Sequence, residues 1–565
     1  MHDWADSLVL ARFSAVLHRE AGLRISLAEL MEHGTLAAQA KLLSGRGAVT
    51  GSIPDLKPKR NGPPTVDDMA HARGDPARAK RTEELANKTL APLGLSWGEV
   101  EDVIPMNSMQ GKYMKYRRPQ TYNHRHAWAC PGSTMFDLKT AIEGAVSHHS
   151  MLRTMGLYYD STTSVHLTVR PSERWFSHCI SIVDPIDTAE ELNQLVYSDP
   201  ILDHAAFPGP LFRFVITHIR SENCAGLIYQ AQHSIFDGVS LPLFLEDLNT
   251  LVLSPSSILK PHVPFKAWAD NYYNLQDSAI AHSHVAWHAA RLSGISKNPG
   301  TLFPAQRAPE WFKGSSHGWI DIKTGRPGPP RKSLDAEPIG VKGLFIQGKL
   351  PDIQALKIRH GVEGSQVMKA ALAVVTTRYT GQEDALFGQA LAGRSWPFLL
   401  PWQAERMPPA MDVDGPAVQD TVNRIPVNHD ETVLLLLLRL QAEQQELNKH
   451  AYTPHHQLIA ALNEENEGDG ELFKEASKRQ IFNWLPVFPN WELKGLRKVQ
   501  VESRTNCGLL WNFVMLDQTT TMVNPTWDDA QLRKSEVEAM AGEVLRVGEL
   551  FATEENWAKK VGCLV

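Results

Sequence analysis

Residues 230–240 read QAQHSIFDGVS, a histidine separated by three residues from an Asp-Gly pair, directly after an apolar run. An imidazole titrates near neutrality, so a turn that lifts His233 clear of a strand would present a base able to take a proton from an amine or an alcohol. In this reading Asp237 orients the loop through an ion pair and does not touch substrate. Gly238 permits backbone geometry that a Cβ would hinder, and it lets a reacting group approach closely. By itself the spacing is weak. The chain has 23 histidines, and a polar turn that happens to contain His233 is the plain alternative.

The surrounding elements favour the chemical reading. LFRFVITHI (211–219) alternates as a strand, RSEN turns, and AGLIYQAQH (225–233) returns, a hairpin with His233 at its end. GVSLPLFLEDLNTLVL (238–253) then reads as a helix with Pro242 tolerated in its first turn. FDLKTAIEGAVSHHSML (136–152) is an amphipathic helix. The later chain alternates helical stretches with strands at DALFGQALAG (384–393) and GLLWNFVML, and it closes on the helix RKSEVEAMAGEVLRVGELFA. The pattern is mixed α/β in two halves of similar plan.

Composition narrows the function. Lys and Arg number 57 against 63 Asp and Glu, a net charge of −6, without the concentrated basic surface that nucleic acid requires. The five cysteines (Cys130, Cys179, Cys224, Cys507, Cys563) form no CxxC pair and no zinc spacing, so neither a disulfide framework nor a structural metal is expected. A reduced, cytoplasmic setting fits this usage. MHDWADSLVLARF carries no basic region followed by an apolar stretch, so no signal peptide is expected. The longest apolar run, VLLLLL (433–438), is too short to span a bilayer, and no membrane association is expected.

Further segments, taken in order, carry a resemblance. With HxxxDG at 233–238 stand DVIPMNSMQGKYM (102–114), HHSMLRT (148–154), VPFKAWADNYY (263–273), LAGRSWP (391–397), DGPAVQDTVNRIPV (414–427) and IFNWLP (481–486). This ordered set resembles the condensation domains of nonribosomal peptide synthetases, whose motifs include HHxxxDG and RHxxLRT, over about residues 96–555. The resemblance implies an α/β fold of two lobes, each like chloramphenicol acetyltransferase, in a V-shaped pseudo-dimer, with the motif histidine midway along a tunnel. It implies attack by an amine or hydroxyl on a carrier-bound acyl or peptidyl thioester delivered by other synthetase modules. His233 would act as base or position the nucleophile. The Gly238 N–H is a candidate oxyanion donor, and Asp237 would be structural, with Arg153 its first partner by motif position and Arg394 the second.

Two departures matter. Gln232 replaces the first His of HHxxxDG, and strand alternation turns positions 232 and 233 to opposite sides. Terminal, chain-releasing members often depart at this place, which tilts the reading toward release or cyclisation. His148 stands where RHxxLRT has Arg. His148-His149 and His455-His456 read as packing or surface residues, and no metal ligand set is expected.

At the N-terminus DWADSL resembles the GGDSL of thiolation (peptidyl carrier) domains, and the following GLRISLAEL and GTLAAQAKLL resemble the rest of such a domain, about half of whose bundle is missing. Ser7 would then carry 4'-phosphopantetheine. A plain helix N-cap serine explains an isolated D-S-L equally well. The expected organisation is a partial carrier at 1–46, a linker at 47–95, an N-terminal lobe at 96–275 and a C-terminal lobe at 276–565. Two other functions stay open: a free-standing coenzyme A-dependent acyltransferase, which the absence of a late DFGWG disfavours, and an inactive carrier-docking module.

Overall fold

The computed structural model describes residues 62–115, 122–159, 164–198, 210–305, 344–404, 406–485, 493–504 and 507–565, with position 334, the helix Leu36–Ser44 and scattered positions between 13 and 30. The proposed partial carrier is covered only by those scattered positions and that helix, and Ser7 lies outside the described residues.

Two large sheets organise the chain. The first has five strands in the order Arg497–Arg504, Asn123–Cys130, Cys224–Gln232, Phe212–Ile219 and Ile180–Ile182. The hairpin read from sequence is its centre: Phe212 pairs with Ala231 and Ile219 with Cys224, antiparallel. One face carries the rings of Trp128, Tyr229 and Phe214; Trp128 stacks on Tyr229, and Tyr229 and Phe214 pack on Phe244 of the helix Ser240–Leu253. The helix Met135–His148 lies beside that helix; Thr134 caps its start, accepting from the Asp137 N–H at 3.1 Å. These elements share one core with a three-stranded sheet, Val100–Pro105, Ser164–Val169 and Thr154–Tyr158.

The second sheet has six strands, in the order Gln419–Pro426, Asp384–Leu391, Gln480–Leu485, Leu509–Met515, Thr520–Trp527 and Ile346–Lys349. Its core gathers the helices Gly364–Thr380, Val433–Lys449 and Lys534–Ala552. The run VLLLLL is the start of the second of these, as its apolar character requires. No described helix is long and apolar enough to cross a membrane.

Three expectations need correction. The linker read at 47–95 is folded from residue 62 onward: the helix Pro76–Leu90 buries Ala79, Ala86 and Leu90 in the first core. Asp75 caps it and Pro76 occupies its first turn, a local start signal hidden by the Gly, Pro and charge of the neighbourhood. Residues 47–61 lie outside the described residues. The boundary at 275/276 is not clean either. Arg497–Arg504, far inside the second half by sequence, forms the edge of the first sheet against Asn123–Cys130. Val263–Pro264 and Val413–Asp414 pair parallel, one from each half. The geometric freedom expected of Gly238 is not used: its φ is not left-handed, and a Cβ built there meets nothing within 4 Å.

Candidate active site

His233 follows the last residue of the strand Cys224–Gln232, and its N–H donates to the Tyr122 carbonyl at 2.7 Å. The ring is half-buried. Its Nδ1 lies 2.9 Å from the Phe236 carbonyl. A carbonyl oxygen can only accept, so Nδ1 carries the hydrogen and Nε2 presents its lone pair. Phe236 stacks parallel on the imidazole at 5.2 Å, Tyr113 stacks at 4.8 Å, and His124 meets it edge-on at 4.7 Å. Burial lowers the His233 pKa below its ordinary 6.5, against the opposing pull of its backbone bonds and of Asp237. His124 and His126 are held neutral in the same way, His126 pushed down to about 3. The site is therefore a set of neutral imidazoles among aromatic rings.

Asp237 takes no part in this face. Its Oδ1 accepts from the N–H groups of Val239 (3.0 Å) and Ser240 (2.8 Å), from the Ser240 hydroxyl (3.2 Å) and from Arg394. Its Oδ2 accepts from the N–H groups of Ala417 (2.9 Å) and Val418 (3.2 Å). The carboxylate thus ties the His233 turn to two segments of the second half. Arg394 completes the tie by donating to the carbonyls of Val413 (2.8 Å) and Gly415 (3.0 Å).

The partner expected first, Arg153, is engaged elsewhere. It pairs with Glu101 and donates to the Val169 carbonyl at 2.6 Å. The reason is local: Arg153 ends a short 3₁₀ turn leading into Thr154–Tyr158, and its guanidinium faces the other strands of that small sheet.

The motif glycines have steric causes. A Cβ on Gly393 would sit 1.9 Å from the Ala417 carbonyl oxygen, with φ at +62°, and one on Gly415 would sit 2.4 Å from the Phe265 ring. Only glycine lets 391–397 and 413–418 converge on Asp237. Gly238 is exposed, and its N–H finds no acceptor among the described residues.

Gln232 is buried and uses both ends of its amide on the backbone. It donates to the Tyr113 carbonyl at 3.2 Å and accepts from the Ser234 N–H. Gln110 donates to the Ser234 carbonyl at 2.8 Å, which explains the Met-Gln of the first motif as a brace for the His233 turn.

Sequence reasoning missed the ring neighbours Tyr113 and His124 and a second group of histidines. His149 is buried between two carboxylates, Nδ1 at 2.9 Å from Asp414 Oδ1 and Nε2 at 3.0 Å from Asp247 Oδ2. Burial opposes its charge, but Asp414 and Asp247 outweigh that and raise its pKa to about 9. His262 Nε2 reaches the same Asp247 oxygen at 2.7 Å. The strand pairing of Val263–Pro264 with Val413–Asp414, which no local pattern announces, brings these groups together.

Residues 100–484 match the family model described as Condensation domain. The nonribosomal peptide synthetase atnA of Emericella nidulans is 21% identical over 447 residues, 78% of this chain and 5% of the relative. The chain spans only 4–5% of the length of the first such relatives. Among solved structures, holo T3CT superposes with a TM-score of 0.61 at 16% identity, covering 84% of this chain and 97% of that one. The condensation domain of the monacolin K polyketide synthase MokA superposes with a TM-score of 0.57 at 15% identity, covering 82% and 100%.

Proposed function

The chain belongs to the condensation-domain family, whose fold is mixed α/β and chloramphenicol-acetyltransferase-like, and from that premise we propose that it forms an amide bond, or an ester, from a carrier-bound acyl thioester. In this reading an amine or hydroxyl approaches His233 Nε2, which takes its proton as the heteroatom attacks the thioester carbonyl carbon. The negative charge then gathers on the carbonyl oxygen, to which the Gly238 N–H, without an acceptor among the described residues, would donate. The C–S bond breaks and the proton passes to the leaving thiolate. Holding two tethered reactants together supplies a large part of the rate.

The observation that carries the proposal is the bond from Nδ1 to the Phe236 carbonyl, because it fixes the tautomer that leaves Nε2 basic on a half-buried ring. Asp237, with every oxygen engaged in joining the halves, has a positioning role.

The finer parts of the reading follow from the same premise. Phosphopantetheine arms would come from partner carrier proteins or other synthetase modules, and on Ser7 if the N-terminal segment is a working carrier. Mass gain at Ser7 after incubation with a phosphopantetheinyl transferase and coenzyme A tests that part. Gln232 favours a terminal, chain-releasing or cyclising role. A reducing, cytoplasmic setting belongs to the same reading and rests on the cysteine spacing in the sequence.

The test is a reconstituted assay with the same acyl group on a carrier and on coenzyme A. Product from the carrier-bound donor, lost in His233→Ala, is expected. Turnover of the coenzyme A donor alone would make this a free-standing acyltransferase, and unchanged product with His233→Ala would leave a docking module.

A further inference from the structure

The second histidine group stands apart from the acyl-transfer site and does not depend on the function proposed for it. His148 closes the helix Met135–His148, Asp247 lies within Ser240–Leu253, and His262 immediately precedes Val263–Pro264. Their side chains converge: His262 Nε2 is 2.7 Å and His148 Nε2 is 3.7 Å from the same Asp247 oxygen, and one ligand atom from each of the three lies within 4.8 Å of the others. His148 and His262 are only partly buried, which leaves an ion a way in to the buried Asp247.

We propose that His148, Asp247 and His262 form a divalent-cation site of the zinc type. Two imidazoles and one carboxylate are a donor set that suits Zn²⁺. Tetrahedral zinc, with bonds of about 2.0–2.2 Å, needs its ligand atoms about 3.3 Å apart. The observed separations fall on either side of that value, so small side-chain rotations complete the site. His148 Nε2 donates to the Lys260 carbonyl at 2.8 Å; an ion bound there moves that hydrogen to Nδ1 and leaves the carbonyl oxygen at hand for a fourth position.

The same carboxylate oxygen is also held by a further histidine. His149 Nε2 donates to Asp247 Oδ2, and its own Nδ1 is fixed by Asp414. Such outer contacts orient a ligand and strengthen a site. The sequence change at position 148 agrees with this chemistry. The arginine usual in RHxxLRT is a permanent cation that repels a metal ion, whereas histidine offers a lone pair.

A bound ion would pin the end of one helix, the middle of another and the residue that leads into the inter-half strand pair. From there the contacts run through Asp414 and Gly415 to Arg394 and Asp237. The site would therefore clamp the junction that holds the His233 turn.

The test uses the full chain, stripped of metal by chelator. Co²⁺ titration followed by visible d–d absorption should give a tetrahedral signature at one ion per chain, displaced by Zn²⁺, and Zn²⁺ should raise the melting midpoint. His148→Arg, which installs the residue usual in the motif, and His262→Gln should each weaken Zn²⁺ binding at least about 10-fold. Metal-free melting of each variant checks its fold; if one fails to fold, the other is read. Zn²⁺ binding equal in wild type and the folded variant would place the ion on other histidines and overturn the proposal. Absence of a one-to-one Co²⁺ signature in the wild type would leave only a hydrogen-bonded cluster and overturn it as well.

Discussion

The first half holds two groups of histidines with opposite characters. Around His233 the neighbours are Tyr113, Phe236 and His124, and burial keeps the imidazoles neutral. Around His149 the neighbours are Asp247 and Asp414, and the imidazole is held charged at neutral pH. Residue type is the same in both; the partners decide whether the ring is a base or a structural cation. A proton acceptor needs a free lone pair and a neutral resting state, which the aromatic group provides. The carboxylate group provides an electrostatic tie between segments 149, 247 and 414.

Breaking the comparison on the aromatic side has the largest expected effect. His233→Ala should lower product formation by about 10²–10⁴, the range for losing a general base, with the melting temperature unchanged. Asp237→Ala should act on stability instead. It strands Arg394 and four backbone donors, those of Val239, Ser240, Ala417 and Val418, at a cost of about 3–5 kcal/mol, readable by chemical denaturation. An inactive Asp237→Ala of full stability would overturn its positioning role.

A matched pair sharpens the contrast. His149→Leu leaves two buried carboxylates without their cation and should cost about 3–5 kcal/mol. His126→Leu removes a neutral ring whose Nε2 has no hydrogen-bond partner among the described residues, and it should cost less than about 1 kcal/mol. Equal losses would erase the distinction between the groups.

Acid should separate them too. His124 and His126 have folded pKa values below 6.5, so the unfolded chain binds their protons first. The stability they contribute is complete above about pH 6.5 and falls as pH drops below it, for His126 down to about 3, on the order of 1 kcal/mol per pH unit per proton. Asp247 and Asp414 are shifted below 3.8, so the stability they contribute is lost only beneath that value. Between about pH 4 and 6.5 the aromatic group should therefore lose stability together with the other histidines held low by burial, His71, His166, His284, His288 and His450, and the difference in slope between wild type and His126→Leu isolates the share of His126. In the same series the acid limb of product formation should lie below pH 6.5, because burial lowers His233 as well. The smallest effect belongs to Gly238→Ala. With no atom within 4 Å of the added carbon, stability should stay within about 0.5 kcal/mol, and any loss of rate would mark the space as one the reactants use.

Legibility in the sequence followed the range of the interaction. The hairpin ending at His233 and the helix after it were readable because alternation, turn residues and a first-turn proline are local signals. The helix Pro76–Leu90 was missed although Asp75-Pro76 announced it, because the flanking composition resembles a linker. Motif order favours Arg153 over Arg394 as partner of Asp237, but the pairing depends on how the loop at 391–397 folds back between halves, which no local pattern encodes. The convergence of His148, Asp247 and His262 had no spacing to betray it, since three separate elements supply the ligands.

The cradle of Asp237 also sets a rule for recombination. Its donors come from residues 239–240 on one side and from 394, 417 and 418 on the other. A chimera spliced between the halves inherits a working turn only if both parents agree on how that anion is received. Crossovers that keep 233–240 and 391–418 from a single parent should be tolerated, whereas those that divide them should yield chains that misassemble before they ever meet a substrate.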